Sequence, residues 1–224
     1  MQLTLVISTY NNPSALDRIL DALRGGTRQA DEVIVADDGS TNETKELITN
    51  WASSMPAPII HCWHEDKGFR KTKILNNSIK VSKGEYLVFL DGDCIPEKNF
   101  ISDHRKLAEQ NCFVQGRRAF IQQSSVPDFL NQKTGLLKLL FTGKISGIPK
   151  AIRWPMPFVF YNQKHRGLIG CNLAMWKTDL LDINGFDEAY EGWGVGEDSD
   201  LCIRLYNKGL QRKFVYGRMR VYHL

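Results

Sequence analysis

Along the first ninety or so residues, short apolar runs alternate with longer amphipathic segments. Leu3 to Ile7 is an apolar run, followed by the polar turn Ser8-Thr9-Tyr10-Asn11-Asn12-Pro13 and then by Leu16, Ile19, Leu20 and Leu23, stopping at Gly25-Gly26. That spacing predicts strand, loop and helix. Asp31 to Ala36 begins a second unit, which continues through Asp37-Asp38-Gly39-Ser40-Thr41-Asn42 into a helix reaching about Trp51. Ile59 to Cys62 gives a third strand, Phe69 to Val81 a helix, and Gly84-Glu85-Tyr86-Leu87-Val88-Phe89-Leu90 a fourth strand that runs into Asp91-Gly92-Asp93. Strands and helices alternating at these lengths predict an α/β fold with a mostly parallel, Rossmann-like sheet flanked by helices. The loops after successive strands then share one edge, which brings Thr9-Tyr10, Asp37-Asp38 and Asp91-Asp93 together.

The second half of the chain is less regular. A helix is expected from about Pro96 to Glu109, a strand from about Cys112 to Ile121 and an apolar helix-like patch at Leu136 to Phe141. A strand over Leu168 to Trp176 leads through a short helix to Asn184-Gly185-Phe186, and another helix runs from Glu197 through Leu205. No repeat, low-complexity tract or linker breaks the chain, so residues 1–224 read as a single domain.

The fourth strand carries the first chemistry. Its buried pattern ends in two carboxylates one residue apart, and Asp91 and Asp93 can share a hard divalent cation while Gly92 allows a close backbone approach. A tight Asp-Gly turn whose side chains cap their own backbone is an equal alternative. The second acidic cluster, Glu197-Asp198-Ser199-Asp200, follows Gly192-Trp193-Gly194-Val195-Gly196. Glycines around Trp193 make a mobile loop with a flat apolar surface suited to a sugar face, whereas acids at a helix start are also ordinary caps. No GxGxxG follows the first strand and no GxxxxGK[ST] occurs, which disfavours a Rossmann dinucleotide site and a P-loop.

Composition narrows this further. The hydrophobic content of 42% supports a substantial core, and the opening apolar run is too short for a membrane span and unlike a signal peptide. Five cysteines without a CxxC pair argue against a disulfide framework and for the cytoplasm. The net charge of +4 is unevenly placed: from Phe129 to Thr178 there is no Asp or Glu, while Lys133, Lys138, Lys144, Lys150, Arg153, Lys164, Arg166 and Lys177 are basic. Such a segment can face an anionic acceptor or the anionic inner face of a membrane, or simply be solvated. No nucleic-acid partner is expected.

Ser8-Thr9-Tyr10-Asn11, Asp37-Asp38-Gly39-Ser40-Thr41, Asp91-Gly92-Asp93 and the Glu197-Asp198 pair, in that order and spacing, resemble family 2 glycosyltransferases of the GT-A fold. From Gly170-Cys171-Asn172 to Glu197-Asp198 the chain is also similar to β-1,4-galactosyltransferases and bacterial chondroitin polymerase domains. The resemblance implies an inverting transferase using a nucleotide sugar, UDP-linked, with Mn²⁺ or Mg²⁺, and a glycan or glycolipid acceptor in bacterial surface polysaccharide or lipopolysaccharide synthesis. Residues 1–95 would bind the nucleotide sugar and 96–224 the acceptor. The resemblance gives donor binding to Thr9, Tyr10, Asp38, Arg70, Lys73, Asn76, Asp91 and Gly92, with Arg70, Lys73 and Asn76 on one helix face. It gives the metal to Asp93 and His223 with Asp91 beside them; the acceptor is expected at Trp193, Glu197 and Asn172, and Asp198 is the expected general base. Two departures stand out. Met219 precedes His223 by four residues, wider than in those enzymes, and Ser8 replaces a common Pro. The rival expectations are a sugar nucleotidyltransferase, which would want a Gly-rich basic loop after the first strand, and a carbohydrate-binding module, which would need Trp193 but not the acid pairs.

Overall fold

The computed structural model describes residues 1–147, 150, 152–165, 167, 169–192 and 194–224. Its first half is the expected alternation: β1 (Leu3–Thr9), α1 (Pro13–Arg24), β2 (Glu32–Asp37), α2 (Asn42–Ala52), β3 (Ile59–Trp63), α3 (Lys71–Val81) and β4 (Tyr86–Asp91). Local chemistry fixes the elements. In α1 the Asn12 side chain accepts from the Ala15 amide at 3.2 Å, Pro13 opens the helix, and Leu16, Ile19, Leu20 and Leu23 are the buried stripe. The apolar residues of β1 are buried on both faces, as a central parallel strand requires.

After β4 come β5 (Cys94–Pro96), α4 (Phe100–Leu107), β6 (Cys112–Gln115), β7 (Arg118–Ile121), α5 (Val126–Leu130), α6 (Leu136–Phe141), β8 (Ile145–Ser146) and β9 (Phe158–Asn162). The chain continues with β10 (Asn172–Trp176), α7 (Lys177–Asp182), α8 (Glu197–Asn207), β11 (Gln211–Tyr216) and β12 (Val221–His223). The large sheet has the order β3-β2-β1-β4-β10-β6-β11-β9. Only β10 and β9 run against the others, so the sheet is mostly parallel and both parts of the chain contribute to it. Because β4 pairs with β1 on the side away from β2, the chain reverses its lateral direction there, and a crevice opens at the carboxyl ends of β1 and β4.

Two features differ from the sequence pattern. The single strand expected from Cys112 to Ile121 is divided at Gly116, where a Cβ would stand 2.2 Å from the Asn172 amide. β6 joins the large sheet and β7 a second one of order β5-β12-β7-β8. The strand expected from Leu168 begins at Asn172 and runs antiparallel to β4; Leu168 itself lies outside the described residues. The irregular segment at 152–157 is fastened by charge, with Arg153 holding Asp103 through two bonds of 2.6 and 2.8 Å and Arg218 donating to the carbonyls of Trp154 and Pro155. Among the described residues, no helix is long and apolar enough to cross a membrane.

His104 on α4 is fully buried, its Nε2 3.1 Å from Asn172 Oδ1, and burial lowers its pKa from 6.5 to about 4 despite that bond. Its native value lies below its unfolded one, so its contribution to stability is complete above pH 6.5 and lost as pH falls toward 4. Urea titrations over this window should show stability falling with acid, and His104→Leu should be less stable at pH 7 yet have a shallower pH slope. An unchanged slope would assign the acid sensitivity elsewhere.

Candidate active site

The crevice between β1 and β4 encloses about 220 Å³ and is lined by Thr9, Tyr10, Asp38, Phe69, Lys71 and Asp91 among others. Gly92 sits at its floor because a Cβ there would lie 2.3 Å from the Ser8 carbonyl oxygen. The close approach foreseen for Gly92 is therefore met by the backbone of β1. Thr9 Oγ1 is buried without a hydrogen-bond partner, and an orphaned hydroxyl lining a crevice is a donor or acceptor available to a ligand.

The inner wall is a charge cluster. Lys71, the first residue of α3, places Nζ 2.7 Å from Asp91 Oδ1, the same oxygen that accepts from the Ser8 hydroxyl at 3.1 Å. Burial works against the Lys71 charge, but Asp91, Asp198 and Glu197 outweigh it and hold the ammonium above its ordinary pKa. Asp198 comes from the first turn of α8, and its Oδ2 accepts from the Gly170 amide at 2.8 Å. Gly170 is small by necessity, since a Cβ would sit 2.1 Å from the Asp198 carboxylate. Burial raises the Asp198 pKa, with Asp91 and Glu197 acting the same way and Lys71 opposing.

At the rim a second group forms. β12 pairs with β5 in the register His223 to Cys94, bringing His223 Nε2 to 3.2 Å from Asp93 Oδ2. Ligand atoms of Asp93, Cys94 and His223 lie within 4.8 Å of one another. Burial would raise the Asp93 pKa, but the His223 hydrogen bond more than offsets it and the carboxyl is lowered; the same contact raises His223. A carboxylate oxygen and an imidazole nitrogen at a partly exposed rim can hold a divalent cation together, the carboxylate being the donor suited to Mn²⁺ or Mg²⁺ and the imidazole the softer partner. Cys94 is a different matter: its contact with Cys171 and its burial push the thiol well above its usual value, so it stays protonated. Asp91 lies outside this group and faces Lys71 instead.

The other residues singled out in the sequence are spread more widely. Tyr10 is half exposed, with its hydroxyl 3.0 Å from Asp66. Both oxygens of Asp38 are engaged, one with His64 Nε2 at 2.6 Å and one with the Arg70 amide at 2.9 Å. Arg70, Lys73 and Asn76 do not share a face toward the crevice. Arg70 precedes α3 and donates to the Glu65 carbonyl, Lys73 is exposed, and Asn76 clamps Phe186 through both its amide groups at 2.9 and 2.8 Å. The face toward the crevice is the neighbouring one, bearing Lys71, Ile74 and Leu75. Asn172 also departs from expectation. It is fully buried and bonded to His104 and the Met219 carbonyl, so its amide is taken up within the core. Trp193 lies outside the described residues. Lys71 was missed because a lone lysine at a helix start resembles any solvated charge.

Comparison with known proteins agrees with this architecture. The family model described as glycosyl transferase family 2 matches residues 4–177, and one described as the N-terminal domain of galactosyltransferase matches residues 154–224. Chondroitin synthase of Escherichia coli is 28% identical over 99% of the chain, which spans 34% of that synthase. Staphylococcus aureus TarS, residues 1–349, solved with UDP-GlcNAc, superposes with a TM-score of 0.66 at 15% identity, covering 99% of this chain and 58% of that one. The mannosyltransferase PcManGT of Pyrobaculum calidifontis, solved with GDP-Man and Mn²⁺, gives 0.65 at 20% identity, covering 99% and 56%. These two likenesses establish the fold.

The Asp93–His223 pair makes a measurable claim. The His223 pKa is raised above 6.5 by Asp93, so imidazole becomes neutral, the form that binds a cation, only at higher pH. An NMR titration of the metal-free protein should give His223 a midpoint above 6.5 that falls in Asp93→Asn. Identical midpoints would show that the pair does not form in solution.

Proposed function

The chain belongs to glycosyl transferase family 2, and on that premise we propose that it is an inverting transferase domain moving a sugar from a UDP-linked donor to a growing glycan. The observation that carries the reading is Asp198, a half-buried carboxylate facing Lys71 and Asp91 at the inner end of the crevice. In this reading Thr9, Tyr10 and Asp38 hold the base, and Lys71 offers its positive charge toward the departing diphosphate. Asp198 takes the proton of the acceptor hydroxyl as that oxygen attacks the anomeric carbon. A divalent cation on Asp93 and His223 would supply charge neutralisation for the same leaving group. Glu197 and Trp193 are proposed to contact the acceptor. The likeness to a chondroitin synthase supports a polysaccharide acceptor, with bacterial surface polysaccharide or lipopolysaccharide as the inferred setting. Because the same fold is found with UDP-GlcNAc in one protein and GDP-Man in another, nucleotide choice is left to a direct comparison of UDP and GDP affinity.

A basic contact surface is the second part of the proposal. Lys133, Lys138, Lys144 and Lys164 are exposed, and α6 displays Leu137 at 73% and Phe141 at 87% exposure beside them. Arg153 and Lys177 are engaged internally, and Arg166 lies outside the described residues. Apolar side chains among lysines support peripheral contact with an anionic membrane. Binding to phosphatidylglycerol-containing vesicles should weaken steeply with salt and fall in Leu137→Ser/Phe141→Ser. Equal binding to neutral vesicles would overturn the electrostatic version.

Asp198→Asn keeps the side-chain volume, so UDP affinity and the thermal midpoint should stay near wild type while transfer falls by about 10²- to 10⁴-fold. Near-normal transfer would remove Asp198 from the chemistry and point to Glu197. The pH profile gives a second check. Asp198 must be ionised, so activity is lost as pH falls through its raised pKa; Lys71 is the charge that lowers that value. Lys71→Gln should therefore move the acid limb of kcat to higher pH, and a limb that stays in place would separate it from Asp198.

A further inference from the structure

On β7, the strand next to the one that carries His223, the small sheet holds a cation that the chemistry above does not use. β7 runs parallel to β12 with Phe120 opposite His223, and the two rings are 5.2 Å apart. Arg118 lies two residues earlier on the same face of β7, with its guanidinium 5.0 Å from the Phe120 ring centroid. Among the described residues Arg118 has no carboxylate partner, and Phe120 is 36% exposed. The charge of Arg118 is near enough to oppose protonation of His223. A guanidinium laid on an aromatic ring has its plane fixed while its N–H edges remain free, the arrangement that receives a carboxylate through two parallel bonds.

We propose that Arg118, oriented by Phe120, binds the carboxylate of an acidic sugar unit in the acceptor glycan. This deepens the transferase reading and rests on it. The acceptor is favoured over the donor because Arg118 is not among the residues lining the crevice, and β12, which carries His223, stands between β7 and the β5 strand that follows Asp93. Phe120 is a positioning residue, and Arg118 is the ligand. A lysine at the same place would supply charge without the planar fork.

The test uses a glucuronate-ended trisaccharide and its glucose-ended counterpart, titrated against the UDP-loaded protein and then assayed as acceptors. Wild type should prefer the acidic probe by about tenfold, the worth of one good charge-assisted contact. Arg118→Gln should abolish that preference while changing affinity for the neutral probe less than about twofold. Arg118→Lys should restore part of it, and Phe120→Leu should weaken it with the thermal midpoint retained. Equal wild-type affinity for the two probes, or a preference that survives Arg118→Gln, would overturn the proposal. So would an Arg118-dependent preference for UDP-glucuronate over UDP-glucose in acceptor-free hydrolysis, which would assign the carboxylate to the donor. If wild type transfers no sugar from a UDP- or GDP-linked donor to either probe yet shows the Arg118-dependent probe preference, the transferase reading fails and the carbohydrate subsite stands.

Discussion

The Lys71 ammonium, with Asp91 bound to it and Asp198 and Glu197 nearby, is the interaction on which the geometry of the site depends. It joins three elements that are distant in sequence: α3 supplies the cation, β4 one carboxylate, and the first turn of α8 the other two. Removing a group of this kind from water is costly, and the cost is recovered only when each charge has a close partner. Lys71 is 17% exposed and Asp91 26%, so the pair is sheltered without being sealed. That is the condition in which a fixed charge acts strongly on its neighbours while a ligand can still enter.

Close packing of backbone around these charges explains glycines that would otherwise look incidental. Gly92 lets the turn after β4 press against β1, and Gly170 leaves the space that Asp198 fills. Gly185 has a φ of 69° and a Cβ position 2.4 Å from Asn76 Oδ1, so the loop before α8 is drawn onto α3 by the asparagine clamp. The clamp also gives Asn76 a role. Its side chain holds in place the segment leading to the acidic cluster, at a distance from the crevice itself.

The parallel half of the fold was legible because period and punctuation agree there: Asn12 caps, Pro13 opens α1, and apolar runs mark strands buried on both faces. The meeting of Thr9, Asp38, Asp91 and Asp93 followed from topology alone. The small sheet was not legible, because β5, β7, β8 and β12 are two to four residues long and pair across long sequence separations. Strands that short carry no period. Polar residues misled for a related reason. Asn172 and Asn76 look like ligands in a motif, but each is taken up by neighbouring backbone groups that the core leaves exposed to it. Lys71 had the opposite problem, since nothing in spacing marks a charge as buried.

Asp93 and Asp198 are driven in opposite directions, and this separates their chemistry. Asp93 is lowered because His223 gives its anion a hydrogen bond that outweighs burial. Asp198 is raised because burial and two neighbouring carboxylates outweigh Lys71. A carboxylate held as a firm anion suits charge binding, whereas one raised toward the working pH is a better proton acceptor. Asp91 connects the two, since it holds Lys71 close and adds negative charge near Asp198. In the proposed reading, a diphosphate that drew Lys71 toward itself would weaken the cation's restraint on Asp198 and make that carboxylate a stronger base, so donor binding would prepare the proton acceptor through the charge cluster.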